Sequence, residues 1–373
     1  MIRFLFTGLL RDKNRSLLPI IVVALGVFLT VLSHAWIKGI MEQSIEFNAR
    51  FSTGHVKIMT AAYADNRDQI PNDLALIEVD RLKEKLRRNY PDMVWAERIL
   101  FGGLIDIPDK NGETKVQGPA QGFGIDLLSG DQSEIERFNL HQSLQKGNIP
   151  DEPGEILISH DFFNKLKAQI GDPVTLISST MYGGMAFYNF TIAGTVTFGS
   201  TAMDRGSIIA DIHDVRQALN MENACGELLG FFGDGYYDQE KAEQIIGDFN
   251  QQYQDPGDEF SPKMVGLRDQ SNMAALVDFS EVMAGFISFI FVIAMSLVLW
   301  NAGLLGGLRR YGEFGVRLAI GEEKRHLYQS LILESLLIGI VGSFLGTLIG
   351  LGLSFYLQEH GFDAESMMQN ASM

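Results

Sequence analysis

Three stretches of this chain carry no formal charge: residues 16–37, 282–308 and 335–358. A hydrocarbon core about 30 Å thick takes about 20 apolar residues of helix to cross, and each stretch is long enough. Residues 173–203 between them also lack charge but are rich in Ser, Thr and Gly. The sequence therefore predicts three membrane-spanning helices, over 16–37, 282–308 and 327–358. The first has a rival reading as a secretory signal: Arg11, Lys13 and Arg15 precede it, and Ser33-His34-Ala35 fits a small-x-small cleavage pattern. Its apolar run exceeds the usual h-region, which favours an anchor. Residues 1–15 contain their own apolar set, Ile2, Phe4, Leu5, Phe6, Leu9 and Leu10, and predict a helix lying at the cytoplasmic membrane surface.

Charge orients these spans. Residues 1–37 hold four basic and one acidic residue, and 282–326 hold five basic and three acidic. The long segment 38–281 holds 21 basic against 38 acidic, while 327–373 holds four acidic and no basic. Short basic segments stay in the cytoplasm, so the N-terminus and the loop 309–326 are expected there. The segment 38–281 and an acidic tail, 359–373, are expected outside. Trp36, Trp300 and Tyr356 stand at span ends, where aromatic side chains favour the interface. The net charge of −16 argues against a nucleic-acid partner. The single cysteine, Cys225, excludes an intrachain disulfide framework.

The external segment reads as mixed α and β. Strands are predicted over 55–59, 94–107, 114–125, 155–159, 174–177 and 190–198, and helices over 74–89, 160–169 and 238–253. Two α/β lobes are expected, the stretch 110–225 being the richer in strand. None of the seven histidines lies three to five residues from another, which excludes HExxH and similar zinc patterns. There is no GxSxG and no GxxxxGK[ST]. His160-Asp161 and His213-Asp214 are adjacent pairs at helix starts, where capping explains them better than catalysis. No catalytic, cofactor or metal site is expected. Such a domain held between spans suits binding or force transmission.

The most specific segment is 309–337. Residues 309–321 predict a short amphipathic helix: Glu313 stands four residues before Arg317, Val316 and Ile320 add apolar surface, Gly315 permits close approach, and Gly321 stops the helix. Glu334, at the cytoplasmic end of the third span, is costly unless paired. It is expected to meet a loop arginine or the N-terminal segment, the alternative being that it snorkels. Gly342, Gly346, Gly350 and Ser354 make a stripe of small residues spaced by four, fit for close packing on the first span, the second, or a further helix.

Residues 313–321, E-F-G-V-R-L-A-I-G, followed by L-I-L-E-S-L-L-I-G over 331–339, resemble the signature of the MacB/FtsX-like ABC transporter permeases. The opening L-L-R-D-K-N-R-S-L-L-P and the external G-E-I-L-I-S, I-G-D-P-V-T-L and F-T-I-A-G-T-V are similar to that family as well. The sequence departs from it by lacking a fourth span and by placing Glu322-Glu323 where the family is small and basic.

The resemblance implies an α-helical membrane protein with an α+β extracytoplasmic domain, of the type VII mechanotransmission architecture, lacking the last transmembrane helix. It implies a bacterial inner-membrane subunit that is itself no enzyme and needs no cofactor, ATP being bound by a separate ABC ATPase. The 309–321 helix would be the coupling helix, with Arg310, Glu313, Gly315, Val316, Arg317, Ile320 and Gly321 at the contact. A second permease copy or paralogue, the lipid bilayer, and a periplasmic lipoprotein or chaperone are the further partners implied. Lipoprotein release of the LolC/LolE type is the first expectation. A regulator of a cell-wall hydrolase and an ATPase-independent binding or sensor protein are the alternatives.

Overall fold

The computed structural model describes residues 13–109, 112–270 and 273–360. The chain divides into two compact units, one being Ile45–Ala274 and the other formed by the segments before and after it.

The Ile45–Ala274 unit is built on strands. They are β1 (Val56–Thr60), β2 (Leu76–Ile77), β3 (Met93–Pro108), β4 (Thr114–Ile125), β5 (Leu144–Gly147) and β6 (Glu155–Ser159). Next come β7 (Pro173–Ser179), β8 (Met185–Val196), β9 (Ser207–Asp211), β10 (Ala224–Cys225), β11 (Glu227–Phe232) and β12 (Pro262–Gly266). The main sheet runs β12-β1-β11-β3-β4-β9-β6-β8-β5, and β7 bonds to both β3 and β8. Six strands therefore close on themselves in the order β3, β4, β9, β6, β8, β7. Such closure removes free edges.

Strand β3 belongs to both parts of the sheet. Met93 to Arg98 pair with β11, and the pairing with β4 begins at Ile99. The region forms one compact unit, and the two parts of its main sheet share this strand. Alternation along the central strands sends side chains to two cores. Ile156, Ile158, Ile208 and Ala210 enter the larger one. Leu157 and Ile209 point the other way, to a cluster with Phe123, Phe138 and Phe198.

Most elements follow the sequence pattern; one helix differs in its start. The expected helix over 74–89 begins at Val79. Leu76 and Ile77 instead pair with β10, and Glu78 takes a left-handed φ of 53°, which breaks any helix running through it.

Charge is buried where β3 changes partner. Arg98 bonds Glu134 at 2.8 and 3.3 Å, and Arg137 bonds the same carboxylate at 2.8 Å. Burial alone pushes the Glu134 carboxyl up, but the two guanidinium groups hold it below the usual carboxylate range. The Arg98 and Arg137 guanidinium groups also lie 4.7 and 4.3 Å from the Phe138 and Phe231 ring centres. One strand over, Lys57 bonds Glu227 at 2.8 Å with both side chains nearly inaccessible. Buried His55 accepts the Phe232 N–H on Nδ1 at 3.0 Å, among the rings of Phe231, Phe232 and Tyr237.

The membrane unit is helical. Lys13–Asn48, Met273–Arg309 and Lys324–His360 are long helices, and Tyr311–Ala319 is a short one between the last two. Thirty-seven residues reach about 55 Å, more than a hydrocarbon core. Among the described residues, the first and last of these are long and apolar enough to cross a membrane. Met273–Arg309 contributes the apolar stretch Gly285–Asn301. Large apolar side chains such as Leu18, Phe289, Leu297 and Phe344 stay exposed within the chain, as suits lipid or a partner helix. The surface helix expected over 1–15 and the tail over 359–373 lie, apart from their inner ends, outside the described residues.

The buried charges lead to two testable outcomes. Lys57→Met strands the Glu227 carboxylate and is expected to cost about 3–5 kcal/mol in urea unfolding, most of it recovered in Lys57→Met with Glu227→Leu. Burial also pushes the His55 imidazole below its ordinary 6.5; the Glu46 and Asp234 carboxylates oppose this and Arg137 adds to it. The unfolded chain then binds the extra proton first, so stability falls as pH drops below 6.5, by at most about 1.4 kcal/mol per unit. His55→Gln is expected to flatten that dependence of the urea midpoint.

Candidate functional site

The candidate site is the loop between the second and third long helices. The Met273–Arg309 helix ends one residue before the Tyr311–Ala319 helix begins, and Arg310 is the break, with φ −101° and ψ 9°. The short helix ends in a Schellman turn. Gly321 donates its N–H to the Leu318 carbonyl at 3.1 Å, and Glu322 to that of Arg317 at 3.2 Å. Gly321 takes φ +99°, a conformation that disfavours a side chain.

No residue of the short helix is buried. Tyr311, Val316 and, at the C-terminal cap, Ile320 are 79, 60 and 82% exposed and find no cover within the chain, while Phe314 is half-buried. A Cβ at Gly315 would meet nothing. Nine residues make too short a helix to persist in water by propensity alone. The fixed points here are its two ends.

At the first end, Arg310 bonds both oxygens of Glu334 at 3.0 Å, and each side chain is less than one-fifth exposed. The loop arginine expected for Glu334 is thus Arg310. At the other end, Arg317 forms two bonds to Glu322, at 2.7 and 2.9 Å. This corrects the expected pairing with Glu313. The Schellman turn brings Glu322 back over the last helical turn, where it accepts from Nε and Nη2 of the guanidinium. His326 Nδ1 lies 3.0 Å from the same carboxylate. Arg317 first, then His326, hold the Glu322 carboxyl below the usual range. Glu322, a departure from the family pattern, is therefore the residue that fixes Arg317.

The small-residue stripe faces the first long helix. A Cβ at Gly342 would stand 2.6 Å from that of Val23, and one at Gly346 would collide with the Ala24 carbonyl oxygen. A Cβ at Gly350 would stand 3.0 Å from that of Val31. Ser354 returns its hydroxyl to the Gly350 carbonyl at 2.9 Å. The stripe lets the two backbones approach closely.

In the external unit the candidate polar residues are engaged in structural contacts. Asp211 caps its helix through the His213 N–H and accepts those of Leu127 and Leu128; Asp214 accepts from Gly154 and Tyr188. His160 meets the Thr195 hydroxyl at 3.2 Å. A cleft of about 410 Å³ contains Glu97, Asp211 and Asp214, but Glu97 is held by Lys83 and Arg216. Burial pushes the Cys225 thiol well up, which makes it a poor nucleophile. Among the described residues, no cluster of three His, Cys, Asp or Glu side chains suits a metal ion.

Comparison with known proteins agrees with this division. Residues 16–229 match the MacB-like periplasmic core domain, and residues 285–372 match the FtsX-like permease C-terminal domain. The chain belongs to the MacB/FtsX-like permease family. Over 97 residues it is 29% identical to the macrolide export ATP-binding/permease protein MacB of Wolinella succinogenes. That stretch is 24% of this chain and 15% of the relative, so the chain spans only a small part of the curated protein it matches. The periplasmic region of MacB from Actinobacillus actinomycetemcomitans is similar over 62% of this chain and 98% of that one, with 12% identity and a TM-score of 0.40. In this MacB/FtsX-like chain, then, an α+β periplasmic core domain accompanies an FtsX-like permease segment.

The stripe makes a sharp test within one helix. Gly346→Ala places a methyl against the Ala24 carbonyl, whereas a Cβ at Gly339 meets nothing. Gly346→Ala is expected to lower the melting temperature in detergent by several degrees. Gly339→Ala is expected to leave it unchanged or raise it slightly through better helix propensity.

Proposed function

We propose that this chain is the non-catalytic permease subunit of a type VII ABC transporter in a bacterial inner membrane. The Tyr311–Ala319 helix docks on a separate ATP-binding subunit. Its uncovered apolar residues carry the reading: Val316 on the helix and Ile320 at its C-terminal cap stand exposed, in a loop whose basic charge suits the cytoplasm. The P-loop absent from residues 1–373 is then supplied by the partner.

In this mechanism two permease subunits pair with two ATPases. Closing of the ATPases on ATP displaces the short helices, and the long helices carry the movement to the MacB-like domain on the periplasmic side. No substrate has to pass between the spans. Substrates are taken from the periplasmic side, with envelope lipoproteins the first choice. A second reading, export of a small apolar compound, is favoured by the stretch shared with a protein named for macrolide export.

The docking contact is tested with Val316→Asp combined with Ile320→Asp. The protein is purified from its native membrane, its ATP-binding partner identified by mass spectrometry, and the two are reconstituted in nanodiscs. The double variant is expected to weaken the partner's binding at least tenfold and to abolish its coupled ATP hydrolysis. Tight binding by the variant, or no ATPase partner for the unaltered protein, would sink the coupling role and leave the ATPase-independent sensor. Photo-crosslinking from the periplasmic domain distinguishes a lipoprotein from a small-molecule substrate.

A further inference from the structure

The short helix is tied at both ends to the chain on its C-terminal side. Arg310, at its first end, is paired bidentately with Glu334 in the third long helix. Arg317, in its last turn, is paired bidentately with Glu322 at the foot of that helix. The two arginines stand about 10 Å apart along the helix axis. One tie would let the helix swing about it. Two separated ties fix its direction.

We propose that these clamps make the Tyr311–Ala319 and Lys324–His360 helices one rigid lever, with Arg310 and Glu334 as its positioning residues. A push on the short helix then moves the third span and is not lost as bending at Gly321. The lever's role in coupling rests on the docking of the short helix on an ATPase; its rigidity does not. The two clamps differ in strength. Arg310 and Glu334 are 18 and 17% exposed, so their paired bonds are weakly screened. Arg317 and Glu322 are more open, at 36 and 23%, and their pair yields more readily to salt. The inner clamp is therefore the one that persists in salt, and the one whose loss frees the helix to swing.

Spin labels test this in the full-length protein. Gly312→Cys and Gln329→Cys place one label on each helix, in a Cys225→Ala background, and the distance distribution is read in nanodiscs. A narrow distribution is expected for the parent, and at least a doubling of its width for Arg310→Gln and for Glu334→Gln. The exchange Arg310→Glu with Glu334→Arg is expected to narrow it again. Single variants as narrow as the parent overturn the lever. So does an exchange that stays broad, since the loss would then be local damage and not the pair.

Adding the ATP-binding subunit separates the two ideas. The parent, as one lever, is expected to keep its label distance when ATP is added, whereas Glu334→Gln, which leaves the docking residues in place, is expected to bind the subunit and let the distance shift. A parent distance that shifts, or a Glu334→Gln distance that does not, overturns the lever. If the parent binds no ATPase, the docking reading fails, and the widths alone decide whether the helices are clamped.

Discussion

Hydrocarbon does not accept an uncompensated charge. This one constraint sets the plan of the chain. It clears 16–37, 282–308 and 335–358 of ionised side chains and gathers the basic residues into the short flanking segments. Glu334 stands at the edge of the third stretch and is tolerated because Arg310 reaches it with both nitrogens. The loop's shape depends on the same requirement. Arg310 breaks the backbone between two helices, and its side chain ties the second of them to the third. A residue that supplies topology through its charge also supplies geometry through its hydrogen bonds.

The external unit solves a different problem. A sheet with two working faces has to keep its strands in register, and alternation does this for β6 and β9, whose neighbouring residues feed separate cores. The exchange of partners along β3 leaves polar side chains inside, at Arg98 and beside it at Glu227. Each ion is paired there. Replacing such pairs with apolar residues commonly costs little, whereas breaking one is expensive. They are best understood as fixing which strand lies next to which.

Much of this is legible in the sequence. Hydrophobic length and charge mark the membrane segments, and alternation places β4 and β6 at their observed bounds. Gly321 marks the end of the short helix. The hidden part is long-range. Nothing in the spacing of Arg98 and Glu134, or of Arg310 and Glu334, announces that they meet. The start of the Val79–Asn89 helix is masked because pairing with β10 overrides a good helical pattern at Leu76 and Ile77. Local rules favour Glu313 as partner for Arg317, but the tight turn at Gly321 offers Glu322 two bonds to the same guanidinium. The direction of the glycine stripe is open in one dimension and is fixed by the contacts with Val23, Ala24 and Val31.

The seam along Gly342, Gly346 and Gly350 has a bearing on traffic in the plane of the membrane. Helices packed backbone to backbone leave no gap wide enough for an acyl chain. That side of the third span is closed to anything arriving from the bilayer. Another flank of the same helix is not: Tyr328, Ile332, Ser335 and Leu336 lie open along it. A lipid-like molecule meeting this helix sideways finds one shut face and one accessible face, and the choice between them is made by three missing side chains.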